Sequence, residues 1–210
     1  MERDDVRQHA QSLEIPYLVH FTRLDNLDSI LQHGLLSVAD IDLCGIQAVR
    51  NDSLRLDGRP AGISLSVAFP NSQMFYRYRM SLAGSEWAVL VIGPQVLWQK
   101  RCAYCRHNAA DLRISNAPLD YLESYHGFTS LFEEIPGVTA RTEQRLRPCD
   151  PTDVQAEVLV FESIRPEEIG AVVFESASAR DRFAPILGGR SVYVHPSNKG
   201  LFASRSYVRR

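Results

Sequence analysis

The stretch DVQAEVLVFESI, residues 153–164, limits the fold of this chain more than any other segment. One face of it carries only apolar side chains, those of Val154, Ala156, Val158 and Val160. The intervening positions also include apolar side chains, so the alternation predicts a β-strand with two usable faces. Glu157 lies at its centre, where a buried carboxylate is costly unless it is paired. Local sequence therefore leaves two interpretations of Glu157: a functional carboxylate, or the ion-pair partner of an arginine.

Other apolar runs predict further strands separated by short helices. A first strand within residues 15–21 is predicted to end at His20, and further strands are predicted at 61–69, 87–92, 169–176 and 190–196. Predicted helices cover residues 22–34, 71–80 and 178–187, whereas residues 37–60, 101–116 and 115–153 are predicted to be mainly loops. Strands and short helices in one chain of 210 residues indicate a single α+β domain over 1–210, with an N-terminal extension at 1–14.

Composition narrows the function classes. With a formal net charge of −2, the chain is not expected to bind nucleic acid non-specifically over its whole surface. A local basic groove is still compatible with this net charge. The charged N-terminus has no apolar segment typical of a secretory signal. No apolar run approaches the roughly 18 residues that span a bilayer, so we expect a cytoplasmic protein without a membrane partner.

Two segments combine features of a nucleotide-binding site. His20, Phe21 and Thr22 lie at a strand-to-helix junction, which is a favourable place for a phosphate or an amide-bearing ligand. The alternative there is a capped helix beside a buried core histidine. Residues 69–79, FPNSQMFYRYR, interleave aromatic side chains with arginines that could stack on a planar ring and follow a phosphate backbone. The alternative for them is an ordinary amphipathic helix.

Two shorter motifs are weaker. The sequence RLDG, residues 55–58, places Arg55 beside a turn, where it either binds phosphate or belongs to a solvated surface turn. The CAYC motif of Cys102 and Cys105 is only half of a zinc site, because no second close pair of ligands follows. We therefore expect no metal, and the thiols are expected to be reduced in the cytoplasm.

The order of the motifs along the chain is more specific than any one of them. VHFTRLDNLDSILQHGLLS, RLDG, SLSVAFPNSQMFY, NAA after CAYC, and QAEVLV follow one another in the sequence. In that order they resemble the DarT family, the DNA-targeting ADP-ribosyltransferases of bacterial toxin–antitoxin systems. The resemblance spans about residues 15–200. It implies the ADP-ribosyltransferase fold, in which two short splayed β-sheets and flanking short helices surround an NAD-binding cleft.

The resemblance also implies roles for individual residues. The residues that match the family's NAD-binding positions are His20, Phe21, Thr22, Ser29, Ser37 and Tyr76. Glu157 matches the catalytic glutamate and Arg55 the functional arginine. The stretch from 128 to 154 would be the substrate-recognition loop, in which Arg141, Arg145 and Arg147 would contact the DNA backbone.

The implied activity is that of a toxin that transfers ADP-ribose from NAD to a base in single-stranded DNA and releases nicotinamide. A carboxylate near the ribose can stabilise the positive charge of an oxocarbenium-like transition state. The RLDG and CAYCRHNAA stretches differ from the thymine-modifying members and resemble a second branch of the family, and this resemblance implies guanine rather than thymine as the modified base. The family also implies an antitoxin partner that removes ADP-ribose. Three alternatives remain open: transfer to RNA or protein, a non-catalytic NAD or nucleic-acid binding module, and a metal-dependent regulator built on Cys102 and Cys105.

Overall fold

The computed structural model describes residues 2–49, 58–82 and 84–210. These residues form strands β1 (Leu18–Arg23), β2 (Ile63–Val67), β3 (Trp87–Ile92), β4 (Cys102–Cys105), β5 (Glu157–Val160), β6 (Ile169–Phe174) and β7 (Ser191–Val194). Their α-helices are α1 (Glu2–Ser12), α2 (Leu27–His33), α3 (Val38–Cys44), α4 (Ser72–Ser81), α5 (Val96–Gln99), α6 (Leu112–Ser115), α7 (Leu119–Leu122), α8 (Tyr125–Ser130), α9 (Ala177–Phe183) and α10 (Arg205–Val208). The predicted α+β class is confirmed. None of the helices in these ranges has the length and apolar composition that crossing a membrane requires.

The sheet has a weak junction at its centre. Its strands follow the order β4-β5-β2-β1-β3-β6-β7, antiparallel except for the β6–β7 pair. β1 pairs with β3 along its whole length, but it pairs with β2 only through Leu18–Val67 and Val19–Ser66. Because pairing stops after Val19, the strands fall into two groups, β4-β5-β2 and β1-β3-β6-β7. The two short sheets that the resemblance implies correspond to these two groups, which the short junction joins into one seven-stranded sheet.

Strand β5 is buried along its whole length, as its two-sided pattern predicts. Val158 and Val160 belong to the main hydrophobic core, and Leu159 belongs to a smaller cluster on the other side. The main core also contains Val6 and Ala10 of α1, which packs against α5 and α8. The segment predicted as an N-terminal extension is thus a helix that covers the core.

Several predicted boundaries are wrong, and each error involves a short element. β1 continues past His20 to Arg23, and the predicted loop at 101–116 contains the edge strand β4. A four-residue strand is too short to show a convincing period. The predicted long loop after residue 37 begins with the two-turn helix α3, whose N-cap Ser37 accepts a hydrogen bond from the Asp40 amide. Helices α7 and α8 likewise interrupt the stretch predicted as irregular.

Two arginines near the C-terminal helix hold the loop that precedes β5. Arg209 donates two hydrogen bonds of 2.7 Å to the fully buried carboxylate of Asp150. Arg205, which is also buried, donates to the carbonyl oxygens of Pro151 at 2.6 Å and Thr152 at 3.2 Å. We call these contacts the C-terminal clasp. Since charge-assisted bonds are the stronger ones, the clasp fixes the chain a few residues before Glu157.

The close approach of Gly34 to Ile164 provides a first test of the fold. Gly34 has φ +88°, and a Cβ atom there would lie 2.3 Å from the Ile164 carbonyl oxygen. We expect Gly34→Ala to lower the free energy of unfolding by about 3 kcal/mol, from backbone strain and overpacking together. Gly45→Ala is the matched control, because Gly45 has φ +67° but open space around it, and it should cost only about 1 kcal/mol. Equal urea midpoints for the two variants would contradict the steric argument.

The clasp predicts a pH-dependent stability. Burial alone would raise the pKa of the Asp150 carboxyl, but the hydrogen bonds from Arg209 and from the Arg147 amide hold it below its usual value. A depressed pKa stabilises the fold above the unfolded-state pKa of about 3.9, and this contribution disappears as pH falls through the folded-state pKa. Asp150→Asn should therefore cost about 3–5 kcal/mol at pH 7, because it leaves Arg209 without its counter-charge. In urea titrations the difference in the free energy of unfolding between wild type and variant should become smaller below about pH 4. A difference that does not change with pH would argue against the ion pair.

Candidate active site

A cavity of about 240 Å³ lies where β1 and β2 stop pairing. Its walls come from β1, β2, β5, the helices α2, α3 and α4, and the loop after β4. The polar side chains that line it are those of His20, Thr22, Asn26, Ser29, Ser64, Ser66, Asn71, Tyr78, Asn108 and Glu157. The divergence of the two strand groups thus creates a concave site on a rigid sheet.

Glu157 is the acidic side chain among the described residues that line this cavity. Its residue is only 7% exposed, and the first residue of β5 is held in place by its pairing with Cys105 of β4. Asn108 Nδ2 donates to Glu157 Oε1 at 2.7 Å, and Ser64 Oγ donates to Oε2 at 3.2 Å. These two donors fix the orientation of the carboxylate at the cavity wall.

His20 is a hydrogen-bonded, uncharged side chain of the cavity wall. Its Nδ1 lies 2.9 Å from the carbonyl oxygen of Ser64, which can only accept, so Nδ1 carries the proton. Burial lowers the pKa of His20, and the bond to Ser64 offsets only part of that effect. In the neutral ring Nε2 then has a free lone pair and can accept a hydrogen bond from a ligand.

Ser64 connects these two side chains. Its carbonyl oxygen accepts from His20, and its hydroxyl donates to Glu157. Because Ser64 lies on β2 and the two partners lie on β1 and β5, one residue sets the relative position of three strands at the site. Sequence reasoning missed Ser64, since a serine inside an alternating strand gives no local signal of this role.

The other predicted NAD-binding residues divide into two groups. Thr22 and Ser29 line the cavity, and Thr22 Oγ1 accepts a bond from Asn26 Nδ2 at 3.2 Å. The Asn26 amide also forms two hydrogen bonds with the backbone of Val49, of 2.9 and 2.7 Å. Ser37, by contrast, is buried as the N-cap of α3, outside the cavity lining.

The aromatic contribution to the cavity comes from a different tyrosine than the sequence suggests. Phe21 lines the cavity and stacks on Phe75, with 4.6 Å between ring centroids. Tyr78 also lines it, whereas Tyr76 is 57% exposed and lies outside the lining. Positions 75 and 78 share the inner face of α4 because they are three residues apart, and Tyr76 points away. Tyr78 is therefore the tyrosine that lines the cavity, and the NAD-binding role of Tyr76 stays a prediction.

The four predicted arginines have different environments. Arg55 lies outside the described residues. Arg141 donates to the Asp150 carbonyl, Thr152 Oγ1 and the Arg147 carbonyl at 2.7–3.1 Å, so the structure engages its guanidinium inside the loop. The side chains of Arg145 and Arg147 are exposed on the same loop. A DNA-backbone contact by this loop would consequently depend on these two.

The CAYC motif does not extend to a metal centre in the residues that the structure covers. No group of three or more His, Cys, Asp or Glu side chains that could hold a metal ion is found there. His107, which follows the motif, is buried, and its Nδ1 lies 2.7 Å from Asp153 Oδ2. The motif instead forms β4, and Asn108, in the loop that follows this strand, donates to Glu157. Asn108 belongs to the NAA triplet of the resemblance, and that triplet was the sequence signal for it.

Comparison with known proteins agrees with this architecture. Residues 19–199 match the family described as DarT, ssDNA thymidine ADP-ribosyltransferase. No curated protein sequence matches the chain at a significant level.

Solved structures similar to this chain come from the same family. One is Thermosipho africanus DarTG in complex with ADP-ribose, with a TM-score of 0.60 and 18% identity over 87% of this chain; the chain spans 50% of that longer protein. Thermus sp. 2.9 DarT in complex with NAD+ has a TM-score of 0.54 and 15% identity, with 87% and 96% of the two chains covered. The same protein in complex with ADP-ribosylated ssDNA has a TM-score of 0.56 and 17% identity, and the match covers 87% of this chain and 95% of that one. These similarities establish the ADP-ribosyltransferase fold, and with the family match over most of its length the chain belongs to the DarT family.

Proposed function

We propose that this chain transfers ADP-ribose from NAD to a base in single-stranded DNA. The observation that carries the proposal is the buried Glu157 carboxylate, held by Ser64 and Asn108 at the wall of the cavity. The Thermus sp. 2.9 relatives with NAD+ and with ADP-ribosylated ssDNA support the choice of both substrates. The base-specific reaction, the toxic effect and the partner are extensions of the same proposal.

In this proposal NAD supplies an ADP-ribosyl group whose bond to nicotinamide breaks, with the bonding electrons leaving on the nicotinamide nitrogen. Glu157 stabilises the positive charge that develops at the ribose, and the burial of the carboxylate strengthens that field. The same carboxylate orients the ribose 2′-hydroxyl and accepts the proton that the attacking base nitrogen loses. His20, Phe21, Thr22 and Ser29 would hold the nicotinamide–ribose end, and Tyr78 would supply an aromatic wall.

The DNA side of the site is proposed to include the loop before β5. Modification of a base nitrogen requires an edge that pairing hides in a duplex, which favours single-stranded substrate. Arg145 and Arg147 are exposed on this loop and suit phosphate groups. Arg55 is proposed to position a phosphate or the target base, because a guanidinium stays protonated and is a poor base. Guanine is favoured by the RLDG and CAYCRHNAA stretches, whereas the family description names thymidine.

A toxin with a dedicated antitoxin follows from the family, and a DarTG protein is among the structural neighbours. We propose that expression of this chain in a growing bacterium arrests growth and that an enzyme able to remove ADP-ribose from DNA relieves the arrest. Transfer to RNA or protein is the second candidate, since the same cavity would serve it.

The activity is tested by incubating the purified protein with NAD and a mixed-sequence single-stranded oligonucleotide, followed by digestion and mass spectrometry of the nucleosides. We expect one nucleoside to gain the mass of one ADP-ribose, which also identifies the base. Glu157→Gln keeps the size of the side chain, but it removes the charge and replaces one acceptor oxygen with an NH2 donor, so the rate should fall at least about 10²–10³-fold.

Glu167→Gln is the matched control, because its side chain is exposed and belongs to a surface ion pair. It should react like the wild type. Consumption of NAD without a modified nucleoside would move the target to RNA or protein. An unchanged rate for Glu157→Gln at equal folding would refute the catalytic assignment.

The environment of His20 predicts the pH profile. Because burial lowers its pKa below the usual value of about 6.5, the ring stays neutral as pH falls through 6.5. We expect kcat/KM for NAD to show no inflection from His20 near pH 6.5. NMR titration of the His20 ring should give a pKa below the usual value of about 6.5, and a higher value would contradict the neutral role.

A further inference from the structure

The amide of Asn71 is the feature of the cavity that the reaction outlined above does not use. Asn71 is only 2% exposed and lies between β2 and α4, where it lines the cavity. Its Nδ2 is buried and has no hydrogen-bond partner among the residues that the structure describes. In the described part of the chain, the other buried side-chain nitrogen or oxygen atoms without a hydrogen-bond partner belong to Arg23, Trp87, Arg106 and Glu123. These four residues do not line the cavity.

The orientation of this amide is determined by its neighbours. Asn71 Oδ1 accepts a hydrogen bond of 3.1 Å from the Met74 amide and so caps the N-terminus of α4. Only the oxygen can accept this bond, so the nitrogen must be the free end. Capping itself needs no nitrogen, because serine and aspartate cap helices equally well. A buried donor without a partner is costly, so capping does not explain why an asparagine is present.

Ser66 lies beside this donor and adds a second polar group. The backbone N–H of Asn71 donates to Ser66 Oγ at 3.2 Å. The hydroxyl hydrogen of Ser66 is not used in this bond and can donate to another acceptor. Ser66 is 7% exposed and also lines the cavity. The two donors therefore form a patch that suits an acceptor oxygen.

The surroundings indicate which acceptor it is. Phe21, Met74 and Tyr78 line the same cavity and provide apolar and aromatic surface for a planar ring. Amide and hydroxyl donors are uncharged and match an uncharged carbonyl oxygen better than a phosphate, for which Arg or Lys is the usual partner. We propose that Asn71 is a ligand-binding residue whose Nδ2 donates to a carbonyl oxygen on a planar ring, with Ser66 as a second donor. This inference rests on the proposed function, which offers two such oxygens: the nicotinamide carboxamide of NAD and the carbonyl of the target base.

The test uses variants that keep the helix cap and remove the side-chain amide nitrogen. Asn71→Ser and Asn71→Asp both retain an oxygen for the Met74 amide, so the protein should fold, and Asn71→Ser should be at least as stable as wild type. Ser176→Asp is the matched control, because Ser176 caps α9 in the same way, outside the cavity lining. Affinities for NAD and for ADP-ribose, which lacks nicotinamide, are measured by calorimetry. Steady-state kcat/KM for the oligonucleotide is measured at saturating NAD.

Each result has a defined meaning. A loss of at least about fivefold in NAD affinity, with ADP-ribose unchanged, would support the proposal and assign the oxygen to nicotinamide. Unchanged NAD binding with a similar loss in kcat/KM for the oligonucleotide would support it and assign the oxygen to the base. Equal weakening of NAD and ADP-ribose, or no change in any measurement, would overturn it. Failure of the wild type to bind NAD would instead refute the proposed function, so the two failures are distinguishable.

Discussion

The end of pairing between β1 and β2 after Val19 is the constraint on which the site depends. Two neighbouring strands that separate leave backbone groups without ladder partners, and such groups must find other partners when they are buried. Here the imidazole of His20 takes the Ser64 carbonyl that the ladder would otherwise use. The opening thereby becomes a polar-lined cavity, and Ser64, whose carbonyl oxygen accepts from His20, also orients Glu157 through its hydroxyl.

This arrangement explains why a carboxylate is tolerated in a buried strand. Glu157 begins β5, next to the point where the sheet opens, and it is surrounded by partners from two other parts of the chain. The hydrogen bonds from Ser64 and Asn108 replace part of the solvation that burial removes. The remaining side chains of β5 stay in the core, so the strand both holds the carboxylate and stabilises the fold.

Local patterns in the sequence predict the parts of this structure whose causes are local. Strand β3 was predicted with its observed bounds, Trp87–Ile92, because an uninterrupted apolar run needs no distant partner to be recognised. Glu157 was found because it contradicts the pattern around it. Ser64, Ser66 and Asn71 were missed as site residues because each takes its role from contacts across strands. The choice between Tyr76 and Tyr78 likewise depends on how α4 faces the sheet, which the sequence alone did not reveal.

The C-terminal clasp makes the geometry of the loop depend on residues far along the chain. Arg205 and Arg209 follow their loop partners by 54 and 59 positions, respectively. A nascent or proteolysed chain that stops before Arg205 contains every residue of the cavity wall, but it cannot form the clasp. Synthesis thus imposes an order in time: the cavity is encoded first, and the loop beside it acquires its fixed shape only after the later arginines have emerged and packed. That order makes the shape of the loop the last part of this region to be completed.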